Sequence, residues 1–500
     1  MNPPQKKKVV VIGAGVAGLS AGIYAQLNGY DAEIIEMHTV PGGQCTAWER
    51  KGYRFDYCLH WLVGTAKGPF HDIWRETGAL NEEVRIVDPD IHFKFVDEEG
   101  RALYLYTDID RWEAYLKEIA PEDAGAITQM CAEMRKSYKL DPFMDPPALR
   151  HPFQYLKALW HQGPALRLMM TYRKMDSRSY FDRIGIKNPR LKHFLESTYG
   201  EAGFSALAFL LMLAWFGQKN AGYPIGGSLP FAMRMAEQFK ALGGRLSLGK
   251  KVVRIRVEND VATGIELEDG SRVAADIVIS AADGHATLYE MLEERYLTDK
   301  IRDAYDNWKL FTPIVQVSFG LKGEVTTDAT NTIYRAPGLR IGCTELQGGY
   351  SIMNYAFDPT MAPDGRSVVV MRYDSPWTLW QDMESKSYKA EKKQIEADAR
   401  TLMEKHFPGI KEKIDVVDVT TPLSGVKYTG VWRGSYEGFF PTAKNLMTSL
   451  PMNLPGLKGF YQIGQWLFPG GGLPPSAQSG RWVVQLMCRV DRKKFRSRIQ

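Results

Sequence analysis

Apolar residues recur along this chain in two rhythms, and the switches between them mark out its elements. Val9 to Ile12 is a short β-branched run of the kind that forms a fully buried parallel strand. Val16 to Leu27 reads as a helix that Asn28 and Gly29 stop, and Asp31 to Ile35 reads as a second strand ending in Glu36. Val84 to Tyr106 alternates between apolar and polar positions, with Glu98-Glu99-Gly100 as a hairpin turn. Arg111 to Lys139 predicts one helix, since Trp112, Tyr115, Leu116, Ile119, Ile127, Met130 and Met134 fall near helical spacing. Leu229 to Leu242 predicts another, followed by strands at Arg245 to Leu248, Val252 to Glu258, Ala262 to Leu267, Arg272 to Ala274 and Ala275 to Ala281. Three further strands lie between Trp308 and Val419, before a charged helix from about Lys386 to His406.

Two stretches are apolar without a clear period. Residues 153 to 170 mix Phe153, Leu156, Leu159, Trp160, Met169 and Met170 with Lys157 and Arg167, a composition that serves an interfacial membrane segment and a protein core equally well. Phe204 to Phe216 is the most apolar run, yet its 13 residues fall short of a bilayer span, which needs roughly 20. It reads as a buried helix, the wall of an apolar tunnel or a monotopic dip into a membrane, and burial is the expectation.

Between the first strand and the first helix stand Gly13, Gly15 and Gly18 at GxGxxG spacing. Gly13 makes the tight turn, Gly15 has no side chain to hold a pyrophosphate off the backbone, and Gly18 lets the helix press on the strand. The helix start offers free N–H groups and the positive end of its dipole to that phosphate. Glu36, 18 residues beyond Gly18, is placed to hold ribose hydroxyls and to repel a 2′-phosphate. A second glycine pair, Gly42-Gly43, follows at once with Gln44, adding bare backbone along an extended ligand.

Ile12 to Asp56 carries these motifs in the order found in the FAD proteins of the amine oxidase and phytoene desaturase superfamily, which it resembles; Gln44 stands where that family usually has Arg. Tyr223 to Ala282 resembles the family's middle section, which places backbone at a position like Val253 against the adenine end of FAD. Gly464, Gln465 and the run Pro469-Gly470-Gly471-Gly472-Leu473-Pro474 resemble the element that meets the ribityl chain and flavin ring. The PGGGLP segment points to the phytoene desaturase, carotenoid isomerase and retinol saturase branch.

The resemblance implies an α/β fold: a Rossmann-type FAD-binding domain with an interleaved α+β substrate domain. Residues 1–83, 223–300 and 421–500 are then the three parts of the FAD-binding domain, and 84–222 and 301–420 the two parts of the substrate domain. Cofactor contacts are expected from Gly13, Gly15, Ala17, Gly18, Glu36, Gly42, Gly43, Gln44, His60, Trp61, Val253, Gly464, Gln465, Gly471, Gly472, Leu473 and Pro474. The implied activity is desaturation, saturation or isomerisation of carbon–carbon bonds in a lipophilic isoprenoid or polyene, by hydride transfer with flavin N5. Amine oxidation and flavin-free prenyl binding of the GDP dissociation inhibitor kind are the alternatives.

Composition narrows this further. At 44% hydrophobic the 500 residues make an ordinary globular chain. Five cysteines, with no CxxC pair and no His at ligand spacing, argue against a disulfide framework or a metal site and for a reducing, cytoplasmic compartment. A net charge of +5, without a basic helix interleaved with aromatics, gives no reason to expect nucleic acid. The basic residues gather in Arg489 to Arg498 and, with the two apolar stretches, suggest peripheral contact with the inner membrane face. His60 is the first candidate acid or base, because only its side chain titrates near neutrality unaided, and Glu201 is the second.

Overall fold

The computed structural model describes residues 6–201 and 203–498. Its first layer is a five-stranded parallel sheet in the order Phe460–Gln462, Ile277–Ser280, Lys8–Ile12, Asp31–Ile35, Arg245–Ser247. Strand residues alternate between two faces, and the β-branched run at the start of the chain uses both. Val9 and Val11 pack under the helices Val16–Leu27, Ser228–Ala241 and Leu473–Val490. Val10 and Ile12 pack on the other side with Ile255, Ala262 and Ile265 of a three-stranded antiparallel sheet, Val252–Glu258, Val261–Leu267 and Arg272–Ala274. Three distant parts of the chain therefore close one core.

The second layer is a seven-stranded sheet in the order Ile414–Thr420, Ile314–Lys322, Arg366–Asp374, Gly349–Asn354, Asn331–Arg335, Ile91–Val96, Ala102–Tyr106. Its pairings are antiparallel except that of Asn331–Arg335 with Ile91–Val96. The long helix Ser385–His406 covers one end through Ile395, Ala399 and Met403. At the other end Phe93, Phe95, Leu103 and Leu105 pack under the helices between Ile109 and Gly217. The fold is thus a Rossmann-type layer joined to an α+β layer.

Two expectations change in detail. The helix expected over Arg111 to Lys139 is two helices, Ile109–Ile119 and Ala124–Ser137. Pro121 has no N–H to continue the first and drives Ala120 out of helical geometry (φ −133°). The apolar run 204–216 is the helix Ala206–Gly217, with Phe209, Leu210 and Leu213 buried. The stretch 153–170 instead forms the helix Pro152–Tyr172, whose first half leaves Phe153 65%, Leu156 63%, Leu159 61% and Trp160 82% exposed. Among the described residues, no helix is long and apolar enough to cross a membrane.

Candidate functional site

A cavity of about 1690 Å³ runs between the two layers. Its first half is walled by backbone. The amide of Gly42 donates to Ala14 O at 2.9 Å, which brings the second glycine loop alongside the first. Gly42 has φ +124°, and a Cβ there would lie 2.5 Å from Cys45 O, so only glycine fits the approach. The buried Glu36 carboxylate accepts from the amides of Ala14 at 2.6 Å and His38 at 2.8 Å and borders the same space.

Two helices begin at this wall without a side-chain cap, Val16–Leu27 after Gly15 and Leu473–Val490 after Gly472. Their unpaired N–H groups and dipoles favour an anion there. The helices cross closely because a Cβ at Gly480 would lie 2.6 Å from Ala17 O, and Ser20 Oγ donates to Ala477 O at 2.7 Å. Gly13, Gly15, Ala17, Glu36, Gly42, Gly43, Gln44, Val253, Gly464, Gln465, Gly472, Leu473 and Pro474 all border the cavity.

Gly18 and Gly471 do not. A Cβ at Gly18 would sit 2.0 Å from Gly13 O, and one at Gly471 2.2 Å from Gln465 O, so both serve packing. The wall fits an extended FAD: bare glycine backbone, two uncapped helix starts, an acid at the end of the second strand, and the Gln44 side-chain oxygen buried without a partner. Ligand sites usually occupy about 300–1,000 Å³, so the cavity has room beyond one dinucleotide.

A clamp divides this half from the next. Asp56 is buried and accepts from Ser228 N and Ser228 Oγ, both at 2.6 Å, and from the amides of Cys58 and Leu59. Burial raises its pKa, and those donors oppose the shift. Arg372, 8% exposed, donates to Gln316 Oε1 at 2.8 Å, to the carbonyls of Asp56 and Tyr57, and to the His60 ring. Burial and then the Arg372 charge push the His60 imidazole well down, so it is neutral at pH 7. The Trp61 ring lies tilted against Phe216 with centroids 5.0 Å apart, and both His60 and Trp61 border the cavity.

The second half is walled by side chains. Leu207, Leu211, Met212 and Trp215 of the Ala206–Gly217 helix face it, as do Leu166 and Met169 of the Pro152–Tyr172 helix. Two acids border it as well. Burial pushes Glu437 up to about 7, with its Oε1 3.4 Å from where a Gly472 Cβ would lie. Asp374 is also raised to about 7, first by the walls around it and then by the charge of Glu201, while Lys309 lowers it. Its side chain is exposed and borders the cavity.

Glu201 does not border the cavity. It lies half-exposed and pairs with Lys309 at 2.7 Å. Sequence reading missed Arg372, Asp374 and Glu437. Arg372 does leave a trace, a lone cation inside the run Val368-Val369-Val370-Met371 to Tyr373, which implies a buried partner set. Glu437, between Tyr436 and Gly438-Phe439-Phe440, leaves a similar one.

The sequence pattern described as flavin containing amine oxidoreductase matches residues 16–488. The chain is 25% identical over 487 residues to a chloroplastic prolycopene isomerase of Arabidopsis thaliana, covering 94% of this chain and 81% of that protein. It is 22% identical to a lycopene-forming phytoene desaturase of Paracoccus sp., covering 97% of this chain and 98% of the other. Among solved structures, an oxidoreductase from Methanosarcina mazei superposes with a TM-score of 0.58 at 17% identity, over 96% of this chain and 100% of that one.

Proposed function

Because the chain belongs to the flavin containing amine oxidoreductase family, we propose that it is an FAD-dependent oxidoreductase acting on carbon–carbon bonds of a lipophilic isoprenoid or polyene. The observation that carries this reading is the cavity itself, in which a backbone wall suited to a dinucleotide opens into a lobe lined by an apolar helix. Burial of a long hydrocarbon there contributes about 25 cal/mol per Å² of apolar surface. The similarity to a prolycopene isomerase and a phytoene desaturase supports the same substrate class.

Bound FAD supplies the two-electron redox chemistry. The chain's own residues position it and the substrate. Glu36 would hold the ribose, the amides after Gly15 and Gly472 the phosphates and the ribityl chain, and Val253 the adenine end; all four positions border the cavity. Arg372 donates to the His60 ring, which burial and then the Arg372 charge keep neutral, where the two halves of the cavity meet. Glu437 keeps its proton on the carboxyl to about pH 7, so a cavity-facing proton is held where the apolar lobe begins.

The exposed apolar face of the Pro152–Tyr172 helix docks on a lipid surface, with Leu166 and Met169 of the same helix leading into the cavity. Flotation with phosphatidylcholine–phosphatidylglycerol vesicles tests this: the protein floats with them, and Trp160→Ser with Leu156→Ser stays behind. Equal flotation of both would overturn it. The activity is tested on the flavin-loaded protein by anaerobic photoreduction, followed by addition of polyenes or of alkyl amines. Change of the flavin spectrum with a polyene product supports the proposal; turnover of amines alone, or a protein unable to take up flavin, overturns it.

A further inference from the structure

Cys45 and Cys58 stand 13 positions apart in the sequence without any redox spacing, yet the fold brings them to the same end of one hairpin. The strands Ala47–Arg50 and Tyr53–Asp56 form an antiparallel hairpin in which Ala47 pairs with Asp56. One step outward, Tyr57 N donates to Thr46 O at 3.1 Å, so Thr46 and Tyr57 are hydrogen-bonded partners. Both strands end there, with Thr46 N turning back to Gln44 O at 2.9 Å, and Cys45 and Cys58 are the next residues on either side of that bond. A disulfide joins residues whose Cβ atoms come within about 3.5–4.5 Å, and the closing movement falls at the end of this one hairpin.

The surroundings agree with this pairing. Both cysteines border the cavity; Cys45 is buried, with its thiol donating to Ser228 O at 3.5 Å, and Cys58 is partly open. Burial pushes the Cys45 thiol up and the adjacent Cys58 sulfur adds to the shift, an independent sign that the two sulfurs are neighbours. Cys131 and Cys343 belong to other clusters of the fold, while Cys488 shares the large core with the pair and donates instead to Asn28 Oδ1 at 3.5 Å.

We propose that Cys45 and Cys58 are a redox-active dithiol that a low-molecular-weight disulfide converts to an intramolecular disulfide. The Cys58 thiolate attacks a sulfur of the small disulfide and releases one thiol. The Cys45 sulfur then attacks the Cys58 sulfur of the mixed disulfide, and its proton goes to the departing thiolate, which leaves as the second thiol. Two protein thiols are oxidised and one small disulfide is reduced to two thiols. The new bond straps the Gly42-Gly43 loop to the segment carrying His60 and Trp61, joining two walls of the cavity.

The test equilibrates the flavin-loaded protein with glutathione and glutathione disulfide at rising ratios, blocks remaining thiols by alkylation, and maps unreduced peptides by mass spectrometry. A Cys45–Cys58 linked peptide, lighter by two hydrogen atoms, accumulates with the ratio and disappears on adding dithiothreitol. Cys45→Ser traps glutathione on Cys58, and Cys58→Ser leaves Cys45 unmodified. Full alkylation of both cysteines at every ratio would overturn the proposal. So would a stable glutathione adduct on Cys58 in the wild type, or pairing of either residue with a different cysteine.

Discussion

The two halves of the cavity are made of different material. The half between Gly13 and Gly472 meets its ligand with main chain, and its defining feature is absent side chains. The half beyond Arg372 meets its ligand with side chains drawn from helices and strands hundreds of residues apart. A ligand common to many proteins is bound by what every residue has, and a particular substrate by what only some residues have. Glycines in the first half are consequently of two kinds, those that make room for the ligand and those that make room for the protein.

The sharpest break of that comparison is Gly18→Ala against Gly15→Ala. At Gly18 the added methyl would lie 2.0 Å from Gly13 O, and main chain has nowhere to go. Overpacking of this kind costs about 3 kcal/mol or more, so the variant loses soluble yield or melts far below wild type. At Gly15 the nearest protein atom is 4.0 Å away and φ is −67°, which any residue adopts. Gly15→Ala therefore keeps its flavin-free melting temperature but binds FAD about 100-fold more weakly, for a loss of about 3 kcal/mol. Thermal melts and flavin fluorescence titration separate the two. Equal flavin affinity of Gly15→Ala and wild type would show that this backbone is not the ligand's wall.

Arg372 sharpens the comparison from the other side. Replacing it with Met strands Gln316 Oε1, two main-chain carbonyls and the His60 ring. Acceptors left buried without a donor cost about 1–3 kcal/mol each, less where water reaches them, so stability falls by about 3 kcal/mol. Arg372→Lys recovers part of this, because an ammonium donates three hydrogen bonds without the planar fork. Calorimetry of the three proteins checks the order.

This contrast also explains what the sequence disclosed. GxGxxG, the glycine pair and PGGGLP are local patterns, since backbone contacts need small residues at fixed spacing and nothing from elsewhere. Arg372 has partners at positions 56, 57, 60 and 316, and no local pattern holds such a set. The cysteine pair was illegible for the same reason: the closing of a hairpin, not sequence spacing, brings the segments carrying Cys45 and Cys58 together. The apolar stretch at 153–170 was ambiguous because lipid and core select the same residues, and only the packing exposed Trp160 while burying Leu168. Pro121 was the one legible break that the helical period of its neighbours concealed.

The smallest effect concerns Glu437. An unfolded Glu titrates near 4.5, whereas burial holds this one near 7 in the folded protein. Between those values the native state binds the extra proton, so stability falls as pH rises from about 4.5 to 7 and levels off above. Glu437→Gln keeps the shape without the charge and removes that decline. The variant should match wild type near pH 5 and exceed it at pH 8 by about 1 kcal/mol, allowing for partial solvation through the cavity. If the proton also serves turnover, wild-type activity drops above pH 7 while the variant's residual rate stays flat from pH 6 to 8. Parallel stability curves for the two proteins would mean that the carboxyl is solvated like any surface acid, and the second half of the cavity would then be wetter than its apolar walls imply.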